Sequence, residues 1–213
     1  ANNHTLNMYQ QGLDETKKLL AESEIGWVGD PLSCSESYVI NNDLVFLAFN
    51  KTFSECKDEK IIEIVEKTRK ENSGKFLAVS MHWGEEYKIK SSQAQKDLAH
   101  KIIDAGADLI VGHHPHVVQD VEQYKNKMIF YSLGNFIFDQ YFSEETQEEL
   151  AIRLEIYGSK IIYRIFPIKS IVSQPQLMEK EKAKEFIKER GFESIIAAKD
   201  TENKNVCFGN NCF

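Results

Sequence analysis

The stretch from Lys75 to Gly112 constrains the fold more than any other part of the chain. KFLAVSMHW, SSQAQKDLAHKIIDAG and ADLIVG follow one another there with short joints. The first and third are continuously apolar, as strands covered on both faces are. Between them Leu98, Ile102 and Ile103 recur at helical spacing, Ser92 stands where a cap is wanted, and Gly106 stands where a helix ends. Strand, helix and strand so joined make a βαβ unit, and such units build a mostly parallel sheet with helices packed on it.

The same alternation runs upstream. QGLDETKKLLAES carries an apolar stripe through Leu13, Leu19 and Leu20, DLVFLAFN reads as a buried strand, and DEKIIEIVEKTRKEN sets Ile61, Ile62, Ile64 and Val65 against a charged face. After residue 120 the period changes. KMIFYSLGNFIF, EELAIRLEIYG and SKIIYRIFPIKSI read as successive strands with glycine-containing turns, as in an antiparallel sheet, and LMEKEKAKEFIKERGF returns to helix. There is no internal repeat and no low-complexity linker. The expectation is therefore a single α/β domain over residues 1–213, with a core at 1–175 and a C-terminal helix and tail at 176–213.

Composition narrows the function. A net charge of −7 argues against nucleic acid, which requires clustered Lys and Arg. No apolar run approaches the roughly 18 residues of a membrane span. The chain opens on Ala1 and the polar ANNHTLN, without the charged and apolar regions of a signal peptide, so it is expected to start partway through a longer protein. Of the four cysteines, Cys34 and Cys56 are far apart in sequence. Cys207 and Cys212 enclose CFGNNC, which suits either a local disulfide or a pair of reduced thiols. A structural zinc site is disfavoured, because no paired CxxC spacing exists.

Ligand sites in open α/β sheets lie at the carboxyl ends of the strands. His82 follows FLAVSM there, and His113, His114 and His116 follow ADLIV, so two strands deliver imidazoles to one edge. Neutral imidazole is the commonest metal ligand, and Asn3 beside His4 adds a harder amide oxygen. The combination suits a two-metal hydrolase site for Zn, Mn or Fe. Glu85 and Glu86 offer a carboxylate for ligation or acid–base work, with solvation as the ordinary alternative. Trp83 either walls a pocket or fills the core. Asn135, after Gly134, either closes a turn or places an amide in the site. His100 falls on the polar face of its helix and is expected to be solvated.

ANNH, HWGEEY, DAGADLIVGHHPHVVQ and IFYSLGNFIF, in this order and spacing, resemble the CapA family of poly-γ-glutamate capsule biosynthesis proteins over residues 1 to about 140. That family is similar in turn to the calcineurin-like metallophosphoesterases. The resemblance implies a metallophosphatase-like two-sheet sandwich flanked by helices, in four α/β/β/α layers, here incomplete at its N-terminus. It implies Asn3 and His82 as metal ligands, His4 near a phosphate, and His114 and His116 as the His-x-His pair, with His113 as the alternative first member. The family's upstream Gly-Asp and Asn-x-Glu motifs have no counterpart in this chain.

The expectation is thus a protein of capsule or cell-envelope polymer synthesis or attachment, on the outer side of the membrane. It would be a hydrolase or transferase using two divalent ions, with His4 or Glu85 moving the proton and an anionic polymer or phosphoester as substrate. Any membrane attachment would lie in a segment outside this chain. The alternatives are a non-catalytic polymer-binding or assembly component and a cytosolic metallophosphoesterase.

Overall fold

The computed structural model describes residues 2–30, 34, 38–40, 43–52, 56–158, 160–192, 206–208 and 211–212. The chain divides into two compact units. The first comprises residues 1–84, 92–114 and 124–129, and the second comprises 85–91, 115–123 and 130–213. With two sheets and flanking helices, the architecture is that of the metallophosphatase-like α/β class.

In the first unit, helix α1 (Tyr9–Glu22) precedes strands β1 (Tyr38–Ile40) and β2 (Leu44–Asn50). Helix α2 (Asp58–Glu71), strand β3 (Phe76–His82), helix α3 (Gln93–Asp104) and strand β4 (Leu109–His113) follow. Strands β2, β3 and β4 are parallel neighbours and β1 is antiparallel to β2. The predicted βαβ unit is therefore present. The hairpin of β5 (Val121–Tyr124) and β6 (Lys127–Phe130) completes a six-stranded sheet in the order β1-β2-β3-β4-β6-β5. Lys125 and Asn126, both at positive φ, form its two-residue turn.

Leu47, Phe49, Val79, Met81 and Ile110 are fully buried in this sheet, while α2 buries Ile61 and Val65, and α3 buries Leu98, Ala99, Ile102 and Ile103. Ser92 caps α3 as expected. Its Oγ accepts from the Gln95 N–H at 3.2 Å, and Gln95 Oε1 accepts from the Ser92 N–H at 2.9 Å, which is a reciprocal capping box. Arg69 ties α2 to the sheet by donating to the Gly106 and Lys75 carbonyls and to Asp108, which Lys127 also reaches.

Cys34 and Cys56, 22 residues apart, form a disulfide between buried residues, Cα to Cα 5.1 Å. Nothing in their spacing marks them as partners, because folding rather than sequence brings them together. The backbones of Cys207 and Cys212 are register partners in β10 (Val206–Phe208) and β11 (Asn211–Cys212), but their side chains lie outside the described residues.

The second unit is built on β7 (Glu148–Tyr157) and β8 (Lys160–Ile171), paired antiparallel over ten positions. Strand β9 (Gln174–Leu177) returns from β8 through Val172 and Ser173, both at positive φ, and helix α4 (Lys180–Glu189) buries Phe186 and Ile187. The expected strand KMIFYSLGNFIF is cut short. It ends at Phe130, and beyond it only Leu133 and Gly134 make isolated bridges, to Val118 and Glu149. Gly134 is the breaker. Its φ is +76°, and a Cβ there would stand 2.6 Å from the Glu148 carbonyl oxygen.

Glu149 is the most unusual core residue of this unit, being 1% exposed. Burial pushes its carboxyl up to about 7, because the charged form loses its water. The Ser170 hydroxyl opposes that shift. However, Ser170 donates its proton to the Phe136 carbonyl at 3.0 Å, and among the described residues neither oxygen of Glu149 is hydrogen-bonded.

Candidate metal centre

In the first unit the parallel register places Asn50, His82 and His113 side by side at the carboxyl ends of β2, β3 and β4. Asn3 comes to the same edge from the N-terminal turn, its Oδ1 3.0 Å from His82 Nε2 across 79 residues of sequence. That turn is built by Asn2 and Thr5. Asn2 Oδ1 accepts from the His4 N–H at 2.9 Å, and Thr5 Oγ1 donates to the Asn2 carbonyl at 2.8 Å. The His114 ring lies 4.7 Å from that of His82, centroid to centroid. Three candidate donors, Asn3, His82 and His114, thus converge from three segments.

His113 is mostly buried, and burial holds its imidazole below the ordinary range, which favours the neutral ring. Trp83 is 2% exposed and belongs to the core, its N–H donating to the His113 carbonyl. His4 is exposed, and its Nδ1 accepts from Asn7 Nδ2 at 3.0 Å. His100 stacks on Tyr124, ring centroids 3.9 Å apart and planes nearly parallel, where a solvated face was expected.

In the second unit His116 is the centre of a tight cluster. Its Nδ1 lies 2.7 Å from Asn135 Oδ1, and its Nε2 lies 4.0 Å from Glu86 Oε1. Glu85 is exposed, and it is its neighbour Glu86 that reaches the imidazole. The rings of Tyr87 and Phe138 lie 6.0 and 5.2 Å from His116. Burial, then the Glu86 charge, raises the Tyr87 phenol above its ordinary range. The segment carrying Glu86 and Tyr87 is held by the Tyr87 N–H on the Pro115 carbonyl, by Gln119 donating to the Lys88 and Lys90 carbonyls, and by Ser91 bonded twice to Asp120.

His114, His116 and Tyr87 have φ of 102°, 60° and 64°, a left-handed region that non-glycine residues avoid. Such strain concentrates where a protein holds side chains for use.

The donors fit a divalent ion. Ligand atoms about 2.1 Å from one ion stand roughly 3.0–3.4 Å apart, and Asn3 Oδ1 and His82 Nε2 are already 3.0 Å apart. In the second unit Glu86 and His116 add a carboxylate and an imidazole, 4.0 Å apart. Amide oxygen, imidazole and carboxylate together suit Zn, Mn or Fe better than Ca or Mg. The residue that pattern reasoning missed is Asn50. It is 1% exposed, and among the described residues its Nδ2 has no hydrogen-bond partner, although Oδ1 is taken by Thr52. The signal available was its place at the end of an apolar strand, one strand over from His82.

A model of the family described as bacterial capsule synthesis protein PGA_cap matches residues 1–140. The chain is 34% identical over 165 residues to the capsule biosynthesis protein CapA of Bacillus anthracis, an alignment covering 66% of this chain and 39% of that protein. It is 36% identical over 160 residues to the PGA biosynthesis protein CapA of Bacillus subtilis strain 168, covering 66% and 42%. It is 26% identical over 170 residues to a probable polyglutamine synthesis accessory protein of Mycobacterium tuberculosis, covering 65% and 44%. The aligned region thus amounts to about two fifths of these relatives' length.

Proposed function

The chain belongs to the bacterial capsule synthesis protein family, and from that premise we propose that it is a metal-dependent hydrolase or transferase of capsule or envelope polymer synthesis. The observation that carries the reading is the approach of Asn3 Oδ1 to His82 Nε2 beside the His114 ring. Three metal-type donors from distant segments meet at the sheet edge where α/β proteins place ligands.

In this reading Asn3, His82 and His114 would hold one divalent ion, and His116 with Glu86 would contribute donors to a second. Bound ions would polarise the scissile carbonyl or phosphoryl oxygen and favour deprotonation of a water. His4 is exposed and takes up or releases the proton of that water or of the leaving group. An anionic polymer of the poly-γ-glutamate type, or a phosphoester, is the substrate class that two cations would attract. The place of action is the cell envelope. No helix among the described residues is long and apolar enough to cross a membrane.

A second reading, a non-catalytic polymer-binding or assembly component, is favoured by the exposure of Phe136, Ile137, Phe138, Tyr141 and Phe142 in one short loop. Elemental analysis of the purified chain, beside Asn3→Ala and His114→Ala/His116→Ala variants, separates the two. Stoichiometric Zn, Mn or Fe that is lost in the variants supports the hydrolase. A folded wild-type protein that retains no metal after incubation with each ion sinks it and leaves the assembly role.

A further inference from the structure

We infer that Asn135 is a positioning residue that locks His116 as the Nδ1–H tautomer and so presents the Nε2 lone pair for ligation. The inference rests on the metal reading for its use but on hydrogen-bond geometry for its content. Asn135 is 8% exposed, and its side chain meets three groups. Its Oδ1 is 2.7 Å from His116 Nδ1, and its Nδ2 is 3.0 Å from the Thr146 carbonyl and 3.3 Å from Gln140 Oε1.

The Thr146 carbonyl decides the orientation, since a backbone oxygen only accepts. The Asn135 NH2 must therefore face it, because the flipped amide would press two acceptor oxygens together in a buried place. Asn135 Oδ1 is thereby turned to His116, and a carbonyl oxygen at 2.7 Å needs a proton on Nδ1. In the neutral ring that leaves Nε2 as the lone-pair nitrogen.

A second leg supports the first. With Oε1 turned to Asn135, Gln140 places Nε2 3.1 Å from Tyr87 Oη, and the Tyr87 ring lies 28° from the plane of His116. Asn135, Gln140 and Tyr87 thus form a ring of contacts around the imidazole, every donor direction set from one backbone carbonyl. Metal-binding histidines are commonly oriented in this way through the ring nitrogen that does not ligate.

The test is long-range 1H–15N NMR of the histidine side chains in the labelled, metal-free full chain, with His116 assigned by its loss in His116→Ala. The expected spectrum shows a protonated Nδ1 and an unprotonated Nε2. Asn135→Leu converts the ring to the Nε2–H form or a mixture. Gln140→Leu removes only the second leg and retains Nδ1–H. A titration with Zn(II) alone should show affinity 10–100-fold weaker in Asn135→Leu than in wild type, and unchanged in Gln140→Leu. An Nε2–H signature in the wild type overturns the inference even if Asn135→Leu fails to fold. An Nδ1–H signature without Zn(II) binding upholds the positioning role and removes the metal reading instead.

Discussion

Glu149→Gln replaces the buried carboxyl with a neutral group of the same shape, and its effect should depend on pH. The native carboxyl stands at about 7 against an ordinary 4.5, at 1% exposure. At about 1.4 kcal/mol per tenfold change in proton affinity, this corresponds to about 3 kcal/mol. Below 4.5 the group is protonated in both the folded and the unfolded chain, so it contributes no pH dependence. Between 4.5 and about 7 the unfolded chain has released the proton while the folded chain retains it. Folding then takes up a proton, and wild-type stability falls as the pH rises. Above about 7 the full penalty is present. Urea unfolding of both proteins at half-unit steps from pH 4 to 8 reads this directly, because all other groups titrate alike and cancel in the difference. The variant should gain about 3 kcal/mol on the wild type between pH 4 and pH 8. A difference that stays flat across that range would refute the argument and place the carboxylate in contact with water or a cation.

Three further outcomes follow from single contacts. Cys34→Ser/Cys56→Ser, or reduction of the native protein, should cost about 3 kcal/mol through the freed loop and lower the thermal midpoint by roughly 6–12 °C; an unchanged midpoint on reduction would show the bridge to be absent in solution. Ser92→Ala opens the capping box of α3 and should cost about 1 kcal/mol in urea unfolding, with Ser92→Gly milder. Gly134→Ala meets both a positive φ and the Glu148 carbonyl, so a loss of about 2 kcal/mol or more is expected, together with weaker metal retention because Asn135 moves with its neighbour.

The parallel core was legible because its causes are local. The apolar runs at Phe76–His82 and Leu109–His113 and the Ser92 cap each act within a few residues. Placing the histidines at strand ends followed from those runs alone. Two kinds of information were not local. The Cys34–Cys56 bridge and the approach of Asn3 to His82 join residues 22 and 79 positions apart, and no spacing rule encodes either. The strand expected through KMIFYSLGNFIF failed for a different reason. Its apolar pattern continues past Gly134, but the positive φ there and the Glu148 carbonyl turn the chain away, leaving Phe136 and Phe138 exposed. Hydrophobicity alone could not separate a buried strand from that exposed loop.

The backbone at Pro115 offers a last test of whether this turn is held for use. Positive φ at Lys125–Asn126 and Val172–Ser173 is what two-residue hairpin turns require. His114 and His116 close no hairpin, yet both lie in the left-handed region, with φ of 102° and 60°. An L-residue held there costs about 1–3 kcal/mol, and glycine bears almost none of it. Comparing His→Gly with His→Ala at each position isolates that cost, since both substitutions remove the same imidazole and its bonds. The glycine variant should be the more stable by about 1 kcal/mol or more at both sites in urea unfolding, even though glycine gives the unfolded chain more freedom. The larger gap is expected at His114, whose φ is further from the left-handed minimum. Alanine equal to or better than glycine at both positions would mean that the turn relaxes in solution. The strain would then be no argument for a functional turn, and the case for function would rest on the side-chain contacts within each unit, Asn3 with His82 in the first and Asn135 with His116 in the second.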